Sequence, residues 1–267
     1  MSSKGIFSAV SGAMAQSSRL DTIANNLANV NTTGFKKDRQ VFSEYLTTHE
    51  KPHDVMQVPR IPASIESFYD MQGGDNAYVN PAGTYTNFAQ GSLRSTGSAL
   101  DLAIEGKGFF EVSTPQGLRF TRAGSLQIDS NGRLVTKEGF PVLREGQADP
   151  TQRAITVNSP NLTISATGEI FDAGNLVGRL SVVEFSNPDD LQKVGNSQYA
   201  LKGNATVPPQ VSRESRVHQG FTEASNVNVV EEMTDMITAN RVFEATQHVI
   251  KAHDQLDDKL INQVGKV

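Results

Sequence analysis

The sequence contains no cysteine, which excludes disulfide bonds and thiolate chemistry. It also lacks any run of about 18 apolar residues, so no membrane-spanning helix is expected. The first twenty residues do not form the apolar stretch of a secretory leader. Ser8, Ser11, Gln16, Ser17 and Ser18 break up Ile6, Phe7, Ala9 and Val10. Positive charge is not in excess either: 24 basic and 29 acidic residues leave a formal charge of −5, with no general attraction for nucleic acid or anionic lipid. Composition alone points to a cytosolic protein. At 37% hydrophobic and 20% charged, the 267 residues have enough apolar surface to fold as one large domain or two modest ones.

Proline and glycine are scarce at both ends of the chain. All eleven prolines fall between Pro52 and Pro209, and eighteen of the twenty-two glycines between Gly73 and Gly220. Proline breaks a helix interior and glycine weakens it, so the ends are predicted helical and the middle turn-rich. Near the N-terminus Ile6, Val10, Ala13, Leu20, Ala24 and Leu27 recur at three- and four-residue steps, with Ser17 in one slot and Ile23 and Val30 widening the stripe. Asn29, Asn31 and Gly34 tolerate the left-handed turn that ends such a helix. A shorter helix is predicted over 35–47, with Phe35, Phe42, Tyr45 and Leu46 on one side.

The C-terminal helix is predicted over 228–263. Asn228 can cap its first turn, and Glu231 stands in capping-box position. Met233, Ile237, Phe243, Ile250, Leu256, Leu260 and Val264, joined by Val242 and Val249, give it a broad apolar face. At 1.5 Å per residue such a helix reaches roughly 50 Å, too long to satisfy itself without a partner. The two ends differ in charge: six basic and four acidic residues in 1–51, four basic and eight acidic in 221–267. That contrast suits either two solvated faces or two ends that pack together.

Between the ends, turn sequences such as Ser130-Asn131-Gly132, Lys137-Glu138-Gly139 and Ala166-Thr167-Gly168 separate short β-prone runs. Those runs are Leu100–Ile104, Phe109–Val112, Leu118–Thr121, Arg133–Thr136, Asn161–Ile164 and Leu180–Phe185. Asn131-Gly132 predicts a hairpin in which both residues accept positive φ. The expected fold class is α+β: paired N- and C-terminal helices in a coiled-coil-like domain, with a central antiparallel β-rich barrel-like or sandwich domain. The expected segments are a helical 1–48, an extended arm over 49–74, a β-rich 75–220 and a helical 221–267.

Catalytic and metal motifs find little footing. His49 and His53 have a metal-like spacing, but Pro52 lies between them and no third ligand is near. His248 and His253 are five apart and do not share a helix face. Gly106-Lys107-Gly108 lacks the upstream glycine and the following Ser or Thr of a phosphate loop, and reads as a tight turn. Asp129-Ser130-Asn131-Gly132 opens like a calcium loop, but its twelfth position is Phe140. There is no Gly-x-Ser-x-Gly elbow. No catalytic, cofactor or metal site is expected.

Three blocks carry a family resemblance. They are Asn25-Asn26-Leu27-Ala28-Asn29-Val30-Asn31-Thr32-Thr33-Gly34-Phe35-Lys36, the run from Gln90 to Phe110 that includes Gly91-Ser92-Leu93 and Ala103-Ile104-Glu105-Gly106-Lys107-Gly108-Phe109-Phe110, and Glu223-Ala224-Ser225-Asn226-Val227-Asn228. In this order they resemble the bacterial flagellar basal-body rod and hook proteins. The resemblance implies a structural subunit whose terminal helices form the inner tube of a helical assembly, with the β-rich middle outside it. It implies partners among copies of itself and other rod subunits, and export through the flagellar export apparatus without a cleaved signal. The location would then be the periplasm-spanning rod, not the cytosol, with no membrane insertion and no nucleic acid bound.

Glu232–Ile237 and Arg241–Ala245 look closest to the proximal-rod, F-type branch; Asn31–Lys36 and Ala103–Phe110 look like the distal-rod, G-type branch. The expected assembly interface comprises Ile6, Val10, Leu20, Ile23, Leu27, Asn29, Asn31, Met233, Ile237, Phe243, Ile250, Leu256 and Leu260. A secreted hydrolase and a carbohydrate- or surface-binding module with helical anchors are the competing classes.

Overall fold

The structure, a computed structural model, describes residues 4–46, 77–157, 162–203 and 208–264. The arm expected over 49–74, with His49 and His53, lies outside them. The described chain forms two compact units. One takes its residues from Met1–Ala24, Gln40–Thr84 and Met233–Val267, the other from Asn25–Arg39 and Tyr85–Glu232. The fold class is α+β, as the distribution of proline and glycine predicts.

The first unit contains most of two long helices and a two-stranded sheet. Helix α1 spans Lys4–Ala28 (25 residues) and α2 spans Val229–Val264 (36 residues). Neither is long and apolar enough to cross a membrane. The α1 terminus follows its sequence: the Asn29 amide bonds the carbonyls of Asn25 and Asn26, and Gly34 takes φ +67° five residues on. At the start of α2 the Asn228 side chain accepts the Val230 amide at 3.1 Å. Glu231 does not complete a capping box but turns to Lys37 Nζ, 3.4 Å away.

Residues 35–47 do not form the helix predicted for them. Asp38–Leu46 is a strand, paired with Ala77–Thr86. The Lys37 amide is taken by the Asn226 side chain at 2.7 Å and the Asp38 amide by the Asn26 side chain at 3.0 Å. Those backbone donors are held by groups remote in sequence or in α1, which a local helix cannot offer. Tertiary partners therefore override the helical spacing of Phe35, Phe42 and Tyr45.

The second unit holds the β-rich middle. Its largest sheet is antiparallel, with the six strands ordered Leu191–Gly195, Gln198–Leu201, Gly117–Thr121, Phe109–Thr114, Val182–Glu184 and Gln210–Val211. A three-stranded sheet orders Asn175–Arg179, Glu169–Asp172 and Leu162–Ile164. Every β-prone run named from the sequence contributes a strand. Two apolar clusters form the core: one around Leu102, Ile104, Phe110, Val112, Ile170 and Leu180, the other around Phe109, Phe120, Phe185 and Tyr199. In the second, Phe109 sits edge-on to Phe185 at 5.7 Å and to Tyr199 at 5.8 Å, the offset geometry aromatic rings prefer.

The Asn131-Gly132 turn joins Leu126–Ile128 to Leu134–Thr136. Only Gly132 takes positive φ (+75°), and its amide bonds the Asp129 carbonyl at 2.8 Å. The turn is thus a type I turn with a glycine bulge, not the two-residue form expected. Gly106-Lys107-Gly108 is the tight turn read from sequence, between Leu102–Glu105 and Phe109–Thr114, with Gly106 at φ +110°.

Candidate functional site

The three blocks that carry the resemblance meet in the second unit around buried charge. Lys36 follows Gly34 and Phe35 out of the α1 terminus; Glu223 ends the strand Phe221–Glu223, which pairs with Leu93–Ser95. Both side chains are wholly buried, with Lys36 Nζ 2.5 Å from Glu223 Oε1. The other Glu223 oxygen lies 3.3 Å from Arg122 Nη1. Gly91 donates its amide to Glu223 Oε1 at 2.9 Å. Lys36 Nζ also donates to the Ala89 carbonyl at 2.8 Å, and Arg122 Nη2 to the Gly106 carbonyl at 2.6 Å. The Arg122 guanidinium stands 4.8 Å above the Phe109 ring.

Two cations share one carboxylate here, and burial is costly for each charge. Burial holds the Lys36 ammonium below its usual value, and Glu223 opposes the shift. Burial likewise pulls Arg122 down against the opposing pull of Glu223. The Tyr199 phenol is pushed well up, chiefly by burial and then by Asp38. Neither side chain of the Lys36–Glu223 pair has exposed surface. The cluster locks chain segments together rather than acting on a ligand.

Glycine makes the lock possible. Gly34 donates its amide to the Glu223 carbonyl at 2.8 Å, and a Cβ there would stand 2.4 Å from the Ala123 nitrogen. At Gly91 a Cβ would stand 1.9 Å from the Ala224 carbonyl oxygen. Three backbones thus approach more closely than any side chain allows.

A second polar cluster ties the ends of the two helices inside the same unit. The Asn26 amide donates to the Asp38 carbonyl at 2.9 Å and to Glu232 Oε2 at 3.1 Å. Glu232, also buried, pairs with Lys37. Asp38 accepts from Thr86 Oγ1 at 2.7 Å and from Lys193 Nζ at 2.8 Å, and that ammonium lies 3.8 Å above the Phe35 ring. Asn226 donates to the carbonyls of Asn87 and Ala89 at 2.8 and 3.0 Å. Asn26, Lys36, Lys37, Arg122, Glu223, Asn226 and Glu232 are absent from the interface expected from the sequence. The available signal was a charged residue close to a glycine inside one of the three blocks, as in Gly34-Phe35-Lys36.

The expected interface residues occupy several surfaces. On α1, Ile23 is buried, Ile6, Leu20 and Leu27 are half-buried, and Val10 is exposed. Asn29 closes the helix end by donating to the Asn25 carbonyl at 2.9 Å and accepting from Thr32 Oγ1 at 3.1 Å; Asn31 is exposed. On α2, Phe243 and Ile250 are half-buried, whereas Met233, Ile237 and Leu256 are exposed. The Leu260 side chain lies outside the described residues. In the first unit Arg19 of α1 approaches Asp235 of α2 at 4.0 Å, and Gln40 donates to Ser18 Oγ at 2.6 Å. His218 pairs with Glu105 at 2.8 Å on the surface, and no cluster able to hold a metal ion occurs among the described residues.

A molecule with long terminal helices, a β-rich middle and its most elaborate polar site buried in structural contacts has the make-up of a structural subunit. Comparison with known proteins identifies which kind. Residues 6–36 match the family described as flagella basal body rod protein, 103–171 the flagellar hook protein FlgE/F/G D1 domain, and 218–263 the flagellar basal body rod FlgEFG protein C-terminal region. The FlgG rod protein of Buchnera aphidicola from Schizaphis graminum is 33% identical over 254 residues, covering 93% of this chain and 95% of that protein. FlgG of Bacillus subtilis is 31% identical over 97% of this chain and 98% of its own length. FlgF of Mesorhizobium japonicum is 33% identical over 97% of both. The chain belongs to the flagellar basal-body rod family, whose members are structural rod proteins and not enzymes.

Proposed function

We propose that this rod subunit self-assembles through its two terminal helices into a stiff helical tube that transmits torque and leaves an axial path for export. The observation that carries this reading is α2: a 36-residue helix with Val230, Met233, Ile237, Val242, Val249 and Leu256 exposed. An amphipathic helix of that length gains its stability from packing, and exposed apolar positions along it call for neighbours. Contacts between unlike surfaces whose rotation does not close build an open helix instead of a ring. Coiled-coil-like pairing of α1 with α2 and closure of the strands into a barrel-like outer layer belong to the same proposal. So do export through the flagellar apparatus without a cleaved signal and contact with other rod subunits.

Within the family we place the chain on the proximal-rod, F-type side, supported by Glu232–Ile237 and Arg241–Ala245. The distal-rod, G-type reading is favoured by Asn31–Lys36 and by Ala103–Phe110. The FlgG of Buchnera aphidicola from Schizaphis graminum and the FlgF of Mesorhizobium japonicum are each 33% identical to this chain, so identity to those two does not choose between the branches. Electron microscopy of purified basal bodies carrying a tagged chain tests both levels. Label on the rod is expected, on its proximal segment for the F-type; label on the distal segment overturns the branch, and label elsewhere overturns the assembly reading.

A further inference from the structure

A cavity of about 570 Å³ opens in the second unit, and the assembly reading above makes no use of it. Its volume lies within the range of small-molecule sites, about 300–1,000 Å³. Four aromatic rings line it, those of Tyr85, Phe88, Phe109 and Phe185. Phe88 and Phe185 both stand edge-on to Phe109, at 5.8 and 5.7 Å. Phe109 and Phe185 are buried whereas Tyr85 is 46% exposed, so the apolar wall runs from the core out to the surface. Such a wall suits a flat ring, which packs against other rings edge-on or offset.

Arg122 also lines the cavity. Its two terminal nitrogens serve the buried lock, Nη1 on Glu223 and Nη2 on the Gly106 carbonyl. Its Nε takes no part in that lock: it is buried without a hydrogen-bond partner, in a residue only 2% exposed. A buried N–H lacking an acceptor is costly, so an acceptor supplied by a ligand gains more here than it would at the surface. Glu223 already offsets the Arg122 charge, and what Arg122 has left to offer is the unused donor. Lys107 and Asp189 line the cavity as well and are exposed, which puts them at its rim. Lys107 attracts an anionic acceptor and Asp189 opposes one. A cationic ligand would leave the Nε donor unused and would meet Lys107, whereas a carboxylate satisfies both.

We propose that this cavity is a binding site for a small molecule in which a flat aromatic ring carries a carboxylate. The ring packs on the aromatic wall, and the carboxylate accepts from Arg122 Nε with Lys107 at the rim. The same guanidinium holds Glu223, and Glu223 holds Lys36. An occupant therefore adds to the lock and stabilises the β-rich unit by mass action. The site stands apart from the assembly reading and does not depend on it.

The full-length chain is titrated into naphthoate, whose fluorescence is read free of tryptophan because the sequence has none. Saturable binding is expected, with a higher melting temperature for the β-rich unit. Lys107→Gln is expected to weaken binding and Asp189→Asn to strengthen it, each roughly two- to fivefold, the worth of one exposed charge pair. Neither change is expected to alter binding of naphthamide, the neutral analogue. Both residues are exposed, so the variants keep the parent's fold. In proton–nitrogen spectra the Arg122 Nε–H resonance is expected to shift on adding naphthoate. That of Arg153, a second buried Nε without a partner but not among the residues lining the cavity, is the control and stays in place. Leu176→Ser, at an apolar side chain 62% exposed elsewhere in the same unit, is expected to leave binding unchanged. No saturable binding at millimolar naphthoate overturns the proposal. So does binding indifferent to Lys107→Gln and Asp189→Asn, binding lost with Leu176→Ser, or an Arg122 resonance that does not move. None of these outcomes bears on the assembly reading.

Discussion

Glu223 is held by charge and backbone together. It receives Lys36, Arg122 and the Gly91 amide while having no exposed surface. A buried ion pair contributes little relative to an apolar replacement of the same shape, yet removing one partner leaves a charge stranded. Glu223→Ala strands two cations and is expected to cost about 3–5 kcal/mol, read as a lower urea midpoint for the β-rich unit. Gly34→Ala combines φ +67° with a Cβ placed against the Ala123 backbone, and is expected to cost more than the ~1 kcal/mol that backbone conformation alone imposes. Asp129 offers a pH test. Hydrogen bonds from the Ser130 hydroxyl and amide hold its carboxyl below the ordinary value. A lowered folded-state value stabilises the fold above the ordinary aspartate value of about 4, and the contribution is lost as pH falls through the folded one. Asp129→Asn is therefore expected to flatten part of the acid limb of a stability–pH curve.

At the scale of elements, the two helices are unequal. Helix α2 has 36 residues against 25 for α1, and past Glu232 it carries more exposed apolar side chains than buried ones. The polar ties of Asn26 to Glu232 and of Lys37 to Glu232 hold the end of α1 and the first turn of α2. Beyond them, burial thins out. In the free chain at low concentration, hydrogen exchange is expected to be fast over 240–264 and slow in Leu102–Glu105 and Phe109–Thr114. Equal protection in helix and strands would contradict the reading that α2 gains its stability from packing in the assembly. The strand Asp38–Leu46 teaches a related lesson. Its partner Ala77–Thr86 is remote in sequence, and its first amide is claimed by Asn26, so helical spacing of four aromatic and aliphatic residues had no power to decide it.

At the scale of the whole molecule, the prediction concerns which part assembly depends on. Deleting 260–267 is expected to abolish incorporation into the rod, scored by basal-body microscopy and motility, while the β-rich unit keeps its melting transition. A hydrolase would behave in the opposite way, tolerating loss of the helix end and failing on changes in the β-rich middle. The core clusters around Phe110 and Phe109 lie wholly within that middle, which is why the deletion is expected to leave it folded.

By itself the sequence determined the class. Helix breakers confined to the middle, seams at the ends and short β-prone runs between turns are local properties; some of those runs pair with near neighbours, as Phe109–Thr114 does with Gly117–Thr121, whereas Leu102–Glu105 pairs with the remote Arg216–Gln219. The family was legible too, because its blocks are contiguous. What those blocks do was decided only by tertiary structure. Lys36 and Glu223 are 187 residues apart and Asn26 and Glu232 are 206 apart, and no periodicity brings such pairs together. The same holds for the terminal helices that opened the question. The apolar residues of α2 were visible as one broad face, but burial divides it into half-buried positions, Phe243 and Ile250, and exposed ones, Val242, Val249 and Leu256, since exposure is a property of the packed molecule and not of the residue.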